Sequence, residues 1–259
     1  MGKLSKLIAS VCVCWALLSG CSKGRESLSV KSESPAPVDS TPDAVFSESA
    51  PGHGAGNITG KVRFSGAYTP AKVSVGKDQE VCGNAKVDAT LIVGAQGELK
   101  NAVIQIIDLK QGKAPTKEAV LDQAKCEYSP HVVVQSTGGA VKITNSDGIL
   151  HNVHSLSQVN SPFNRAQPKY LKEVKETFAK VEIIALRCDV HGWMNGWVVV
   201  TDNPFFDVTQ SDGAFKFDNV PVGKYTLEVW HEALGKATQA VEVKAGEVTN
   251  VTFEFKMKK

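Results

Sequence analysis

Within the stretch RCDVHGWMNGW, residues 187–197, a thiol, an imidazole and a thioether follow one another at Cys188, His191 and Met194. Two residues between successive side chains bring all three to one point only if the backbone folds back on itself as a loop. A metal ion is the natural occupant of that point. Thiolate and thioether favour Cu(I), and imidazole suits both copper states. Zinc takes cysteine and histidine but rarely a thioether, and structural zinc sites are normally closed by Cys or His. The donor set therefore points to copper.

A loop of three ligands needs at least one more from elsewhere. The stretch VKITNSDGILHNVHS, residues 141–155, offers it: a strand runs to Asn145, turns at Asp147-Gly148 and delivers His151, followed by Asn152. Taken together, the two stretches resemble the cupredoxins, the small blue-copper proteins such as plastocyanin and amicyanin. Their pattern pairs N-x-x-x-x-x-H-N with a Cys, His, Met loop near the last strand. The C-x-x-H-x-x-M spacing here is the short, amicyanin-like form of that loop, and the resemblance covers about residues 117–203. It implies that His151, Cys188 and His191 are trigonal ligands of one type 1 copper, with Met194 the weak axial one. It also implies that Asn152 ties the two ligand loops together by hydrogen bonds. A trigonal plane with a long thioether bond lies between the preferences of the two copper states, so little rearrangement accompanies gain or loss of an electron.

Counting narrows the chemistry. One cysteine in the loop excludes the two-cysteine binuclear centre of cytochrome oxidase. Six histidines in the chain, one of them His53, are too few for the clusters of multicopper oxidases. The four ligands fill the copper and leave no open place for substrate. Outer-sphere electron transfer, with no enzymatic activity, is what remains. His154 lies three residues beyond His151 in a strand and so on the opposite face; it reads as a surface or accessory histidine. His131 begins a strand and reads as structural or surface. Trp193 either dresses the exposed side of the copper for docking or packs the loop, and Trp197, alternating with Val199, reads as core.

The elements that must position these side chains are strands. Beyond Gly56, segments such as KVRFSG, NAVIQIIDL, HVVVQS, GWVVVTD and KYTLEVW are separated by turn residues at intervals of about ten. Only PKYLKEVKETFAK, residues 168–180, offers a helical turn or two. The fold is expected to be all-β, a sandwich or two. The tail VTQSDGAFKFDNVPVGKYTLEVWHEALG, residues 208–235, resembles a second family, the carboxypeptidase regulatory-like or transthyretin-like β-sandwich. Its marks are Thr209, Asp212-Gly213, Phe215 and Phe217, then Pro221, Gly223, Tyr225 and Leu227. The first strands of that family look like ITGKVRFSG and LKNAVIQIID, far upstream. The expected architecture is a regulatory-like sandwich split into residues 57–113 and 205–259, with a cupredoxin domain at 114–204 inserted between. A single merged sandwich is the competing arrangement. Trp230-His231-Glu232 reads as packing with a surface pair.

The N-terminus, MGKLSKLIASVCVCWALLSGC, has Lys3 and Lys6 ahead of an apolar run from Leu7 to Leu18, too short to span a bilayer, and reads as a secretory signal over residues 1–20. Leu18-Ser19-Gly20-Cys21 resembles the bacterial lipobox, which implies lipid on Cys21; a plain signal with a chance cysteine is the alternative. Ser22 after that cysteine leans towards the outer membrane, facing the periplasm or the cell surface. Residues 21–56 are rich in Ser, Pro, Glu, Gly and Ala and form a tether with a typical span of about 30–35 Å. Cys12 and Cys14 leave with the signal, so Cys82, Cys126 and Cys188 remain in an oxidising compartment. The economical solution is a Cys82–Cys126 disulfide with Cys188 kept free by metal; three buried thiols are the alternative. With 29 basic and 27 acidic residues, nothing suggests a nucleic-acid partner. Two function classes follow. One is a lipid-anchored carrier of single electrons between envelope redox proteins such as c-type cytochromes. The other is a copper carrier, or a surface module binding carbohydrate or protein. A copper chaperone should offer few, exchangeable ligands; a complete quartet favours the electron carrier.

Overall fold

The computed structural model describes residues 54–109 and 118–257. The signal segment, Cys21 and the tether as far as His53 lie outside the described residues. The chain opens on β1 (Ala55–Phe64), whose Ile58, Val62 and Phe64 are buried in alternation with more exposed neighbours. Ala55 and Gly56, placed in the tether by the sequence, already pair with Pro221 and Val220. A connection follows, made of β2 (Lys72–Ser74), the helix α1 (Gln79–Cys82) and β3 (Ala85–Val87), and leads to β4 (Val103–Ile106). Next come β5 (Ala119–Ala124), β6 (Glu127–Ser129), β7 (Val132–Ser136), β8 (Ala140–Asn145) and β9 (His151–Ser155). They continue through β10 (Asn164–Gln167), β11 (Glu173–Thr177), β12 (Glu182–Arg187) and β13 (Asn195–Thr201). The last strands are β14 (Phe206–Val208), β15 (Ala214–Pro221), β16 (Gly223–His231), β17 (Gly235–Val243) and β18 (Val248–Phe255). The fold is all-β.

Sheets of order β15-β1-β18 and β14-β4-β16-β17 enclose one apolar core, to which Ile58, Ile104, Phe217, Leu227 and Phe253 contribute. The turn before β15 needs Gly213 at φ 64°: a Cβ there would lie 2.6 Å from the Val62 carbonyl oxygen. Sheets of order β10-β9-β12-β13-β7 and β11-β8-β5-β6 enclose the second core, which includes Leu121, Ile143, Ile184 and Val198. Strand β4 and strands β14 to β18, distant in sequence, thus share sheets with β1 or with one another, while β5 to β13 pair among themselves.

The stretch 168–180 is not helical. Glu173–Thr177 is the edge strand β11, pairing antiparallel with β8 from Glu173 opposite Thr144 to Thr177 opposite Ala140. Val174 packs on the second core while its neighbours Glu173 and Lys175 face solvent, so a period of two overrides the helix propensity of Glu and Lys.

The sandwiches meet through the outer faces of β4 and β16 on one side and β7 and β13 on the other. Val103, Val132 and Val199 are buried there, and the rings of Trp197 and Trp230 cross edge-to-face with centroids 5.2 Å apart. Trp197 is therefore part of this junction rather than of a sandwich interior. Glu232, expected at the surface, is covered: its side chain is only 7% exposed, it pairs with His131 Nε2, and it accepts a hydrogen bond of 2.7 Å from Trp197 Nε1. The sequence placed it outside because a strand-end Glu is usually solvated, and no local signal announces a second sandwich docking over it.

Candidate metal centre

At one end of the second sandwich two loops converge. The first lies between β8 and β9. Asn145 closes it: its side-chain amide donates to the carbonyls of Ile149, 2.8 Å, and Gln167, 2.9 Å, and its Oδ1 accepts from the amide of Asp147. This places His151 as the first residue of β9, with no exposed surface. The second loop joins β12 to β13. Met194 donates its amide to the His191 carbonyl and Cys188 donates its own to the Met194 carbonyl, at 2.9 and 3.0 Å, which folds residues 188–194 back on themselves. Asn152 Oδ1 accepts from the amides of Asp189, 2.8 Å, and Val190, 3.3 Å, and from the Cys188 thiol, 3.3 Å, so this one side chain links the loops. Tyr128 fixes Asn152 in turn, donating 2.6 Å to its carbonyl from a hydroxyl whose pKa is pushed up by burial.

The loops bring Nδ1 of His151, Nδ1 of His191 and Sγ of Cys188 within 4.8 Å of one another, all three residues buried. The two Nδ1 atoms are 2.9 Å apart, and Cys188 Sγ is 4.0 Å from Nδ1 of His191. Met194, 1% exposed, lies with Cys188 in the second apolar core. Each imidazole is held from behind by a carboxylate: Asp147 Oδ2 is 2.8 Å from Nε2 of His151, and Asp78 Oδ2 is 2.8 Å from Nε2 of His191. Burial pushes His151 below the ordinary imidazole value, against the opposing hydrogen bond with Asp147. An ionised carboxylate only accepts, so each Nε2 carries the hydrogen and each Nδ1 presents a lone pair to the other. Two imidazole nitrogens facing each other beside a thiol are a candidate cation site, and the donor chemistry of two imidazoles and a thiol fits copper.

The remaining sequence-selected residues fall around this cluster. Cys82 and Cys126 are bonded to each other, and Cys188 is the free cysteine among the described residues. Trp193 packs its ring 5.1 Å from that of His191 and donates 3.2 Å to the Cys126 carbonyl. It also lines, with Met194, Tyr128 and His131, a cleft of about 730 Å³. His154 faces away and pairs with Asp189 at 3.0 Å, so it takes no place among the clustered donors. The carboxylates were not found by sequence reading. Asp147 was visible there as a turn residue, and its position four before His151 is a usable hint. Asp78 comes from the connection between β1 and β4, 113 positions before His191, and no local signal marks it.

Residues 198–256 match the carboxypeptidase regulatory-like domain. Strands β1 and β4, which share sheets with that segment, lie outside the matched residues. No curated protein matches the chain. Among solved structures the chain is similar to a copper-containing nitrite reductase from Thermus scotoductus, at 18% identity over 38% of this chain and 25% of that one, with a TM-score of 0.31. It is also similar to a purple cupredoxin from Nitrosopumilus maritimus, at 22% identity over 32% of this chain and 100% of that one, TM-score 0.28. A reduced amicyanin gives 25% identity over 38% and 98%, TM-score 0.30.

Proposed function

We propose that His151, Cys188 and His191, with Met194 as a weaker fourth ligand, hold one copper ion, and that the protein carries single electrons. The observation that supports this best is the pair of Nδ1 atoms 2.9 Å apart with both Nε2 atoms on carboxylates. Bound copper supplies a reversible one-electron couple. The chain's residues supply the rest: Asp147 and Asp78 fix which nitrogen of each ring is free, Asn152 holds the loops at one separation, and the apolar surroundings exclude water. In this reading lipid on Cys21 and the tether keep the carrier at a bacterial envelope membrane, where a c-type cytochrome is a fitting partner. Titrating metal-free protein with copper and weighing the complex by native mass spectrometry tests the site. One copper per chain is expected, with none retained by the His151→Ala, Cys188→Ser double variant. Full retention by that variant, or preferential uptake of zinc from an equimolar mixture with copper, would overturn the assignment.

A further inference from the structure

The connection between β1 and β4 leaves the first sandwich, reaches the ligand loops of the second and returns. It does more there than fill space. Asp78, in the left-handed conformation at φ 52°, precedes α1 and puts Oδ2 on Nε2 of His191, a ring with no exposed surface. The amides of Val81 and Cys82 turn back to the Asp78 carbonyl at 3.0 and 2.8 Å, so Asp78 and Cys82 are held as one unit. Cys82 is bonded to Cys126 on the turn between β5 and β6. The same turn donates the amides of Lys125 and Cys126 to Asp147, which holds His151. A single strap thus runs from Asp78 through α1 and the disulfide to Asp147, and grips both imidazoles at the nitrogen that points away from the cluster.

We propose that Asp78 is a positioning residue for His191, and that residues 75–82, fastened by the Cys82–Cys126 disulfide, close the route from solvent to the cluster of His151, Cys188 and His191. The role given to the cluster rests on the copper reading; the closure is a property of the chain with or without metal. By accepting from Nε2, Asp78 keeps Nδ1 of His191 turned to His151 and Cys188. Its carboxylate is 44% exposed, so its contribution comes through hydrogen-bond geometry and not through a screened surface charge. Both disulfide cysteines are buried, Cys82 at 3% and Cys126 at 0%, which makes the strap a standing closure and not one that a passing thiol would open.

The test uses the full-length, metal-free chain and iodoacetamide, with alkylation of the Cys188 peptide followed by mass spectrometry. Cys188 should react slowly in the parent. Asp78→Ala should raise its rate about fivefold, the size expected for loss of one ordinary hydrogen bond, and Cys82→Ser with Cys126→Ser should raise it further. Asp78→Asn, whose amide oxygen accepts the same hydrogen bond, should stay nearer the parent than Asp78→Ala. In copper-loaded protein, loss of copper to a chelator should follow the same order. Equal alkylation rates in all variants, or Asp78→Asn as reactive as Asp78→Ala, would overturn the proposal, and this comparison stands even if the cysteine variant does not fold. If the alkylation order holds while no copper binds, the strap stands and the copper reading falls.

Discussion

The sandwich of β1, β4 and β14 to β18 packs its interior with hydrocarbon, Ile58, Ile104, Phe217, Leu227, Val243 and Phe253 among it. The sandwich of β5 to β13 instead gives one end of its core to His151, Asn152, Cys188 and His191. Burying a polar group costs free energy unless it is hydrogen-bonded. In the first sandwich buried Thr209 does backbone repair: it donates 2.7 Å to the Leu99 carbonyl and accepts 2.9 Å from the Ala102 amide. In the second, the buried amides of Asn145 and Asn152 fix the two loops that carry the clustered side chains. The donor cluster is thus confined to one sandwich, and the strap and the Trp197, Glu232, His131 contact join the two.

Mutations can break that division. The largest effect belongs to Cys188→Ser, which should abolish any thiolate-to-copper absorption while thermal unfolding, followed by circular dichroism, moves little; unfolding of the variant would mean the cluster is structural. Phe253→Ala should show the reverse, lowering stability to denaturant by about 3–5 kcal/mol with the donor cluster unperturbed. Removing the Cys82–Cys126 bridge should cost about 2–4 kcal/mol, given the 44 residues it spans, and a loss near zero would show that the strap is held by its other contacts. Trp197→Phe leaves Glu232 short of a donor at the junction and should cost about 1–3 kcal/mol in urea unfolding.

The smallest effect is an acid one. Burial raises the pKa of Glu182, but hydrogen bonds from the Ser157 hydroxyl and the amides of Gln158 and Asn160 outweigh this and bring it from 4.5 to about 2. A depressed carboxyl stabilises the fold above its unfolded value and loses that contribution as pH falls through the folded one. Stability should therefore decline between pH 4.5 and about 2, and Glu182→Gln should flatten that decline; an unchanged slope would show that the clamp on residues 157–160 is not proton-linked.

The grouping of His151, Cys188 and His191 was legible in the sequence because spacing within two short stretches carries it, Cys188 and His191 in one and His151 in the other, with Asn152 beside it as the link between loops. The all-β class was legible from strand-like segments separated by turn residues, except at 168–180, which was read as a helical turn or two and holds the strand Glu173–Thr177. The carboxylates behind the imidazoles were not. Asp78 meets His191 only because β1 and β4 belong to a different sandwich, whose connection happens to reach across, and no local pattern encodes a contact of that range. Glu232 was misplaced for the same reason, since its burial is decided by the docking of β16 against β7 and β13.

In the proposed site Cys188 binds copper together with His151 and His191, buried in the second sandwich. The visible absorption spectrum of the oxidised, copper-loaded full-length protein tests it most directly. An intense thiolate-to-copper charge-transfer band is predicted, saturating at one copper per chain and absent in Cys188→Ser. A colourless protein, or a band that survives Cys188→Ser, would contradict the account.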